Sequence, residues 1–194
     1  MKHKKVAIVY DWIDSWGGAE RVLEVFAAMY PTADWYTLVY NRKSAQWAKS
    51  FDIQPSFINR LPEFIRANRV LSVPLMPFAV EAINLSSYTH VLSITSAFAK
   101  AVITRPETRH VSYILSPPRF LWSHQRDYGT ASTLMRPYIN YLRNWDYIGA
   151  RRPDMLIAVS PEVAQRIKKI LRLRSKMLYC HHLIHHTGKT CVTT

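Results

Sequence analysis

Val6-Ala7-Ile8-Val9-Tyr10 is an unbroken apolar run with charge on both sides, the pattern of a strand buried on both faces in a parallel sheet. After a loop ending at Gly18, residues Ala19, Val22, Leu23, Phe26, Met29 and Tyr30 recur at helical spacing until Pro31 stops them. That spacing predicts an amphipathic helix of about three turns. Trp35 to Tyr40, aromatic and β-branched, reads as a second strand. Residues 44 to 88 carry Pro55, Pro62, Pro74 and Pro77 among short apolar clusters, so broken helices and loops beside the sheet are expected there.

The alternation then resumes. Val91 to Thr95 and His110 to Leu115 read as strands on either side of a short helix from Ala97 to Val102. Tyr138 to Ala150 reads as a helix and Met155 to Val159 as another buried strand. Ser160-Pro161-Glu162 combines a hydroxyl cap with a proline in the first turn, and Val163, Ile167, Ile170 and Leu171 line one face of the helix that follows. The repetition predicts an α/β fold: a Rossmann-like, doubly wound, mostly parallel sheet with helices on both faces, covering residues 1–171. Residues 172–194 contain no acid and little apolar periodicity, and are read as an irregular basic tail.

Composition narrows this picture only slightly. Hydrophobic residues make up 48% of the 194 positions and charged residues 20%, which suits a single folded domain and excludes intrinsic disorder. The net charge is +13, and all 13 acids lie at or before Glu162. A basic body fits an anionic partner such as a nucleotide diphosphate, a phospholipid surface or nucleic acid, and charge alone does not choose between them. The aromatic residues fall mostly inside apolar runs without a nucleic-acid motif, so they read as core and nucleic acid is not an expected partner. Cys180 and Cys191 both lie in the tail, leaving the body without a disulfide framework. The apolar run after the basic start is too short for a signal peptide or span, and the expected location is cytoplasmic, with peripheral contact at the inner face of the membrane.

The candidate chemistry starts in Asp11-Trp12-Ile13-Asp14-Ser15-Trp16-Gly17-Gly18-Ala19-Glu20. Two glycines precede a helix whose free N–H groups and positive dipole end can face an anion. A dinucleotide site would require Gly-x-Gly-x-x-Gly and an acid ending the second strand. Glu20 and Arg21 interrupt that fingerprint, and the second strand ends at Asn41.

Gly-Gly-Ala-Glu-Arg-Val-Leu at 17 to 23, within Val6 to Asn41, resembles the opening of family-4 glycosyltransferases. Further segments are similar to later blocks of that family in the same order: Leu71 to Phe78 with Pro74-Leu75-Met76-Pro77, Ser93 to Lys100, Ser116 to Trp122 with Pro117-x-Arg119-Phe120-Leu121-Trp122, and Ile157 to Lys169. The resemblance covers about residues 5 to 170. It implies one domain of a GT-B pair, in which the first domain holds a glycan or lipid-linked acceptor and the second grips a nucleotide-sugar donor. Transfer in the family is usually anomer-retaining and uses neither metal nor cofactor. The backbone of Gly17 and Gly18 would approach the donor diphosphate. The family continues into a donor domain with a pair of glutamates, which residues 172–194 do not resemble. The expectation is therefore a truncated chain with an out-of-frame tail, inactive alone; a noncatalytic sugar- or phosphate-binding module or a truncated gene remnant is the alternative.

Asp11, Ser96, Lys100, Ser116, Arg119 and His124 are candidate contacts to an acceptor or phosphate. Arg119 follows a strand's carboxyl end, where α/β proteins bind ligands. Ser93, Thr95, Ser96 and Lys100 surround another strand-to-helix junction, where hydroxyls meet an acceptor or cap the helix, and capping is favoured. The family often has a histidine before the small hydroxyl residue of its Pro-x-Arg motif, where this chain has Leu115 before Ser116, so no catalytic histidine is assigned. His90 and His110 read as strand-edge residues and His124 as the better substitute. Basic and bulky apolar residues mix from Arg60 to Leu71 as on a membrane-docking face, although ordinary packing explains them too. Cys180 to His186 offers i, i+4 histidines and a thiol, but its aperiodic surroundings favour a tail that holds no metal.

Overall fold

The computed structural model describes residues 5–123, 136–171 and 177–179. Seven strands lie in one sheet: β1 (Val6–Ile13), β2 (Asp34–Tyr40), β3 (Ile53–Pro55), β4 (His90–Thr95), β5 (Arg109–Ile114), β6 (Met155–Ala158) and β7 (Met177–Tyr179). Their order is β3-β2-β1-β4-β5-β6-β7, and every neighbouring pair is parallel. Ile8 on β1 pairs with Trp35 on one side and Leu92 on the other. The chain winds outward from β1 to β3, then returns to β4 on the far side of β1. This is the Rossmann-like doubly wound arrangement, with its topological switch between β1 and β4.

Alternation along the central strands explains the layers. Ala7 and Val9 join a cluster with Met76, Ala79 and Val80 of α4 (Met76–Glu81) and Leu142 and Trp145 of α6 (Arg136–Gly149). Ile8 and Tyr10 point to the opposite face and meet Val22, Leu23 and Phe26 of α1 (Gly18–Met29). On β6, Leu156 and Ala158 pack under Val163, Ala164 and Ile167 of α7 (Pro161–Leu171), whereas Ile157 belongs to the α1 side. Helices therefore cover both faces, as right-handed crossovers on either side of a switch require.

Differences from the sequence reading have local causes. β1 runs three residues past Tyr10, through Asp11, because that carboxylate is neutralised inside the protein as described below. β3 falls in the stretch read as helices and loops. It is three residues long and sits at the sheet edge, where Pro55 removes no needed donor. The expected helix from Ala97 to Val102 shrinks to a single 3-10 turn, Ala99–Ala101. The sheet also continues past residue 171, since Met177–Tyr179 pairs with β6; a three-residue apolar triplet in a basic run gives too little pattern to read. Residues 180–194, with the Cys180 to His186 cluster, lie outside the described residues.

Three short helices, α2 (Glu63–Ala67), α3 (Arg69–Ser72) and α4, follow the proline-rich stretch between β3 and β4. α6 is seated more tightly. A Cβ built on Gly149 would lie 2.5 Å from the Ala101 Cβ, closer than two carbon atoms can approach. Helix propensity alone favours alanine over glycine. Overpacking reverses the sign here: Gly149→Ala is expected to destabilise the fold by about 1–3 kcal/mol in urea denaturation. A variant as stable as the parent would mean that α6 is not held against the Ala99–Ala101 turn.

Candidate functional site

In doubly wound sheets, ligands bind outside the carboxyl ends of the strands at the switch, which here means the loops after β1 and β4. The β4 loop is closed to any external anion. The Asp11 carboxylate, fully buried, accepts four backbone N–H bonds: Ser96 (2.7 Å) and Ala97 (2.9 Å) to Oδ2, Phe98 (2.8 Å) and Ala99 (2.7 Å) to Oδ1. The Thr95 hydroxyl donates to it as well, 2.9 Å from Oδ2. Successive amides converging on one point form a nest for an anion, and the chain fills it with its own carboxylate. Asp11 therefore has no exposed oxygen for an acceptor or phosphate. Its role is to tie β1 to the loop 84 to 88 residues later.

Lys100 is also committed inside the protein. Only 2% exposed, it forms a close ion pair with Asp146 of α6 and donates to the Ala97 carbonyl. The second carboxylate oxygen of Asp146 accepts from the Trp122 indole at 2.9 Å. No side chain caps the Ala99–Ala101 turn; the Thr95 hydroxyl instead accepts from the Ala97 amide at 3.0 Å, closing a local turn before it. Ser96 is half-buried and contributes its amide to Asp11.

The β1 loop presents the opposite situation. Gly17 caps α1 in an extended conformation (φ −167°, ψ −155°) that any residue adopts, and no side chain caps the helix. A Cβ on Gly18 would meet nothing within 4 Å, and one on Gly17 would meet only the Glu20 carboxylate at 3.2 Å. Neither backbone conformation nor crowding inside the chain therefore explains both glycines. Glu20 is buried in the first turn of α1 and accepts from the Tyr10 hydroxyl at 3.4 Å. Burial first, and Glu20 second, pushes the Tyr10 phenol well above its ordinary pKa, so it remains a donor. The loop is braced from the side: Ser44 donates to the Asp14 carbonyl at 2.5 Å and the Trp47 indole to the Ser15 carbonyl at 3.1 Å.

Trp16, adjacent to Gly17, is not the core residue that the aromatic pattern predicts. It is 50% exposed and touches Trp47 edge-to-face with ring centres 5.5 Å apart. An exposed indole beside uncapped amides is a surface on which a sugar or base can stack. Only its position in a polar-flanked loop, rather than an apolar run, signalled this.

Arg119 opens α5 (Arg119–Trp122), past the carboxyl end of β5, and its side chain is exposed. Among the described residues it has no ion-pair partner. The Ser116 hydroxyl, three residues earlier, donates to the Pro117 carbonyl at 2.9 Å. β4 lies between β1 and β5, so the strands that lead into the Gly17–Gly18 and Ser116–Arg119 loops run about 10 Å apart. His124 lies outside the described residues.

The described histidines, His90 and His110, lie near the amino ends of β4 and β5, away from these loops. His110 is not an edge residue: it is 1% exposed within β5. Its Nε2 bonds the Ser93 hydroxyl at 2.9 Å, while its Nδ1 and the neighbouring Ser112 hydroxyl have no partner among the described residues. Burial pulls its pKa down to about 4, against a smaller opposing effect of Asp154. A serine and histidine so enclosed cannot reach a substrate. Among the described residues no helix is long and apolar enough to cross a membrane. The chain matches no protein-family model, and no curated protein is significantly similar to it in sequence.

Two measurements check this account. Asp11→Asn turns an amide NH2 toward two of the four backbone donors and should cost about 2–4 kcal/mol in urea denaturation; a change below about 1 kcal/mol would mean that the nest does not hold the carboxylate. His110 binds its proton less readily when folded, so between pH 6.5 and about 4 the unfolded chain carries more protons. Stability should be complete above that window and decline on acidification through it, by an amount on the order of 3 kcal/mol. In His110→Asn that part of the slope should vanish.

Proposed function

We propose that the protein is the acceptor-side domain of a family-4 type glycosyltransferase, which transfers a sugar from a nucleotide-sugar donor to a glycan or lipid-linked acceptor. The supporting observation is the Gly17–Gly18 loop, open above Gly18 and uncapped at the start of α1. A diphosphate laid against these amides would meet the positive end of a twelve-residue helix. The amides would stabilise the charge that grows on the leaving group as the glycosidic bond to it breaks. Because Asp11 closes the β4 nest, the α1 side of the switch is the place left for such an anion. Glu20 weakens the pull of that helix end, so further positive charge is needed, and Arg119 is the exposed cation for it.

In this reading Trp16 supplies a ring face for the sugar, and Ser116 and Ser96 line the floor between the two loops. The described residues form one wall of the cleft, and a second domain grips the nucleotide. The enzyme works in the cytoplasm against the membrane. Phe64 (68% exposed), Leu71 (46%) and Phe78 (61%) protrude from α2, α3 and α4, and with Arg60 and Arg66 they suit an anionic bilayer.

Nucleotide contact can be tested without turnover. Titrating the ¹⁵N-labelled chain with UDP-glucose or GDP-mannose should shift the Gly17, Gly18 and Ala19 amides. Gly18→Leu should abolish the response and leave the urea midpoint unchanged, since the new side chain enters open space. If these amides stay silent at saturating concentrations of both nucleotides, the proposal fails.

A further inference from the structure

A crevice lies along the β3 edge of the sheet, from Phe51, Asp52 and Ile53 at the start of that strand to Tyr40 and Asn41 at the carboxyl end of β2. It is about 470 Å³ in volume and is lined by Arg42, Lys43, Lys49 and Arg66, with Asp52 and Glu63 as the acids among the described residues that line it. None of the four cations belongs to an ion pair among the described residues. Four unpaired positive charges against two negative ones leave a surplus in a concave space, where low-dielectric walls concentrate the field.

The frame of this crevice is well ordered. The Asn59 carboxamide accepts from the Tyr40 amide at 2.8 Å at the end of β2, and the Asn59 carbonyl accepts from Arg66 at 3.4 Å. The Asn41 carboxamide accepts from the Lys43 amide at 3.1 Å, and Gln46 donates to the Lys43 carbonyl at 2.9 Å. Phe51, in the wall, stacks on Trp35 with ring centres 5.0 Å apart. The cations therefore stand on a braced scaffold rather than on a loose loop.

We infer that this crevice is a binding site for a phosphate-bearing ligand, distinct from the glycine loop. Phosphate fits better than a single carboxylate because the space is larger than one carboxylate fills. Two guanidinium forks and two ammonium groups also match the several oxygens of a diphosphate or phosphodiester. The inference does not rest on the transferase reading. The same chemistry is carried by soluble phosphate esters and by anionic lipid headgroups. Because all four cations are solvated except for the half-buried Arg66, affinity is modest and falls with salt as the screening length drops below the crevice dimensions.

The test uses inorganic pyrophosphate as the probe, titrated calorimetrically into the Gly18→Leu chain, in which the glycine loop is already closed. Saturable, salt-sensitive binding is expected, weakened at least about tenfold in K49Q/R66Q added to that background. R42Q/K43Q, which leaves the Arg66 to Asn59 bond in place, should weaken it similarly. No saturation, or equal binding by parent and both double variants, overturns the inference whatever becomes of the glycine loop. Sedimentation with phosphatidylglycerol vesicles then separates the sources. Vesicle binding that pyrophosphate displaces marks a lipid headgroup site, and pyrophosphate binding without vesicle uptake marks a soluble ligand.

Discussion

The buried carboxylate of Asp11 is the constraint around which the carboxyl side of the molecule is organised. An ionised group without solvent is tolerated only when donors surround it. The four amides from Ser96 to Ala99 and the Thr95 hydroxyl do this. Their convergence fixes the backbone after β4, and Lys100 emerges from that fixed turn toward Asp146, which orients α6. Arg152, just beyond α6, repeats the device by pairing with Glu81 of α4 at 2.6 Å and donating to the Ala101 carbonyl. Charge buried in one strand thus propagates through two helices. Breaking such an arrangement costs more than forming it contributes, which makes these side chains structural rather than catalytic.

That assignment divides the residues singled out from sequence. Polar residues at strand ends carry the same signature whether they bind a ligand or an internal partner. Asp11 and Lys100 turned inward, each to a partner more than forty residues away, a separation at which no local pattern warns the reader. Gly17, Gly18 and Arg119 remained at the surface. Gly18 is the informative one, because a side chain there would enter open space, whereas one on Gly17 would crowd the Glu20 carboxylate.

The fold itself was more legible than the site. Runs such as Val6 to Tyr10 and Met155 to Val159 have only one comfortable home, the middle of a parallel sheet, and the strand-helix rhythm gave the winding. Legibility failed where elements are shorter than the period that reveals them. β3 and β7 have three residues each, fewer than two repeats of strand alternation. His110 was misplaced because histidine is ordinarily polar, and only the three-dimensional packing of β5 between β4 and β6 makes it a neutral core residue. The basic crevice was invisible for a different reason: its cations come from positions 42, 43, 49 and 66, and no spacing links them until β2 and β3 lie side by side.

The indole of Trp47 stands between an aromatic residue of the glycine loop and one in the wall of the basic crevice. It meets Trp16 at 5.5 Å on the glycine-loop side and Phe51 at 6.0 Å on the basic side. Its N–H donates to the loop that carries the glycines. The protein thus has a built-in optical reporter, since a ring excitation at this junction is sensitive to the polarity of both surroundings. The same contacts join the glycine loop to Phe51 in the crevice wall through one ring, so a ligand that displaces that ring on one side acts on the residue it touches on the other.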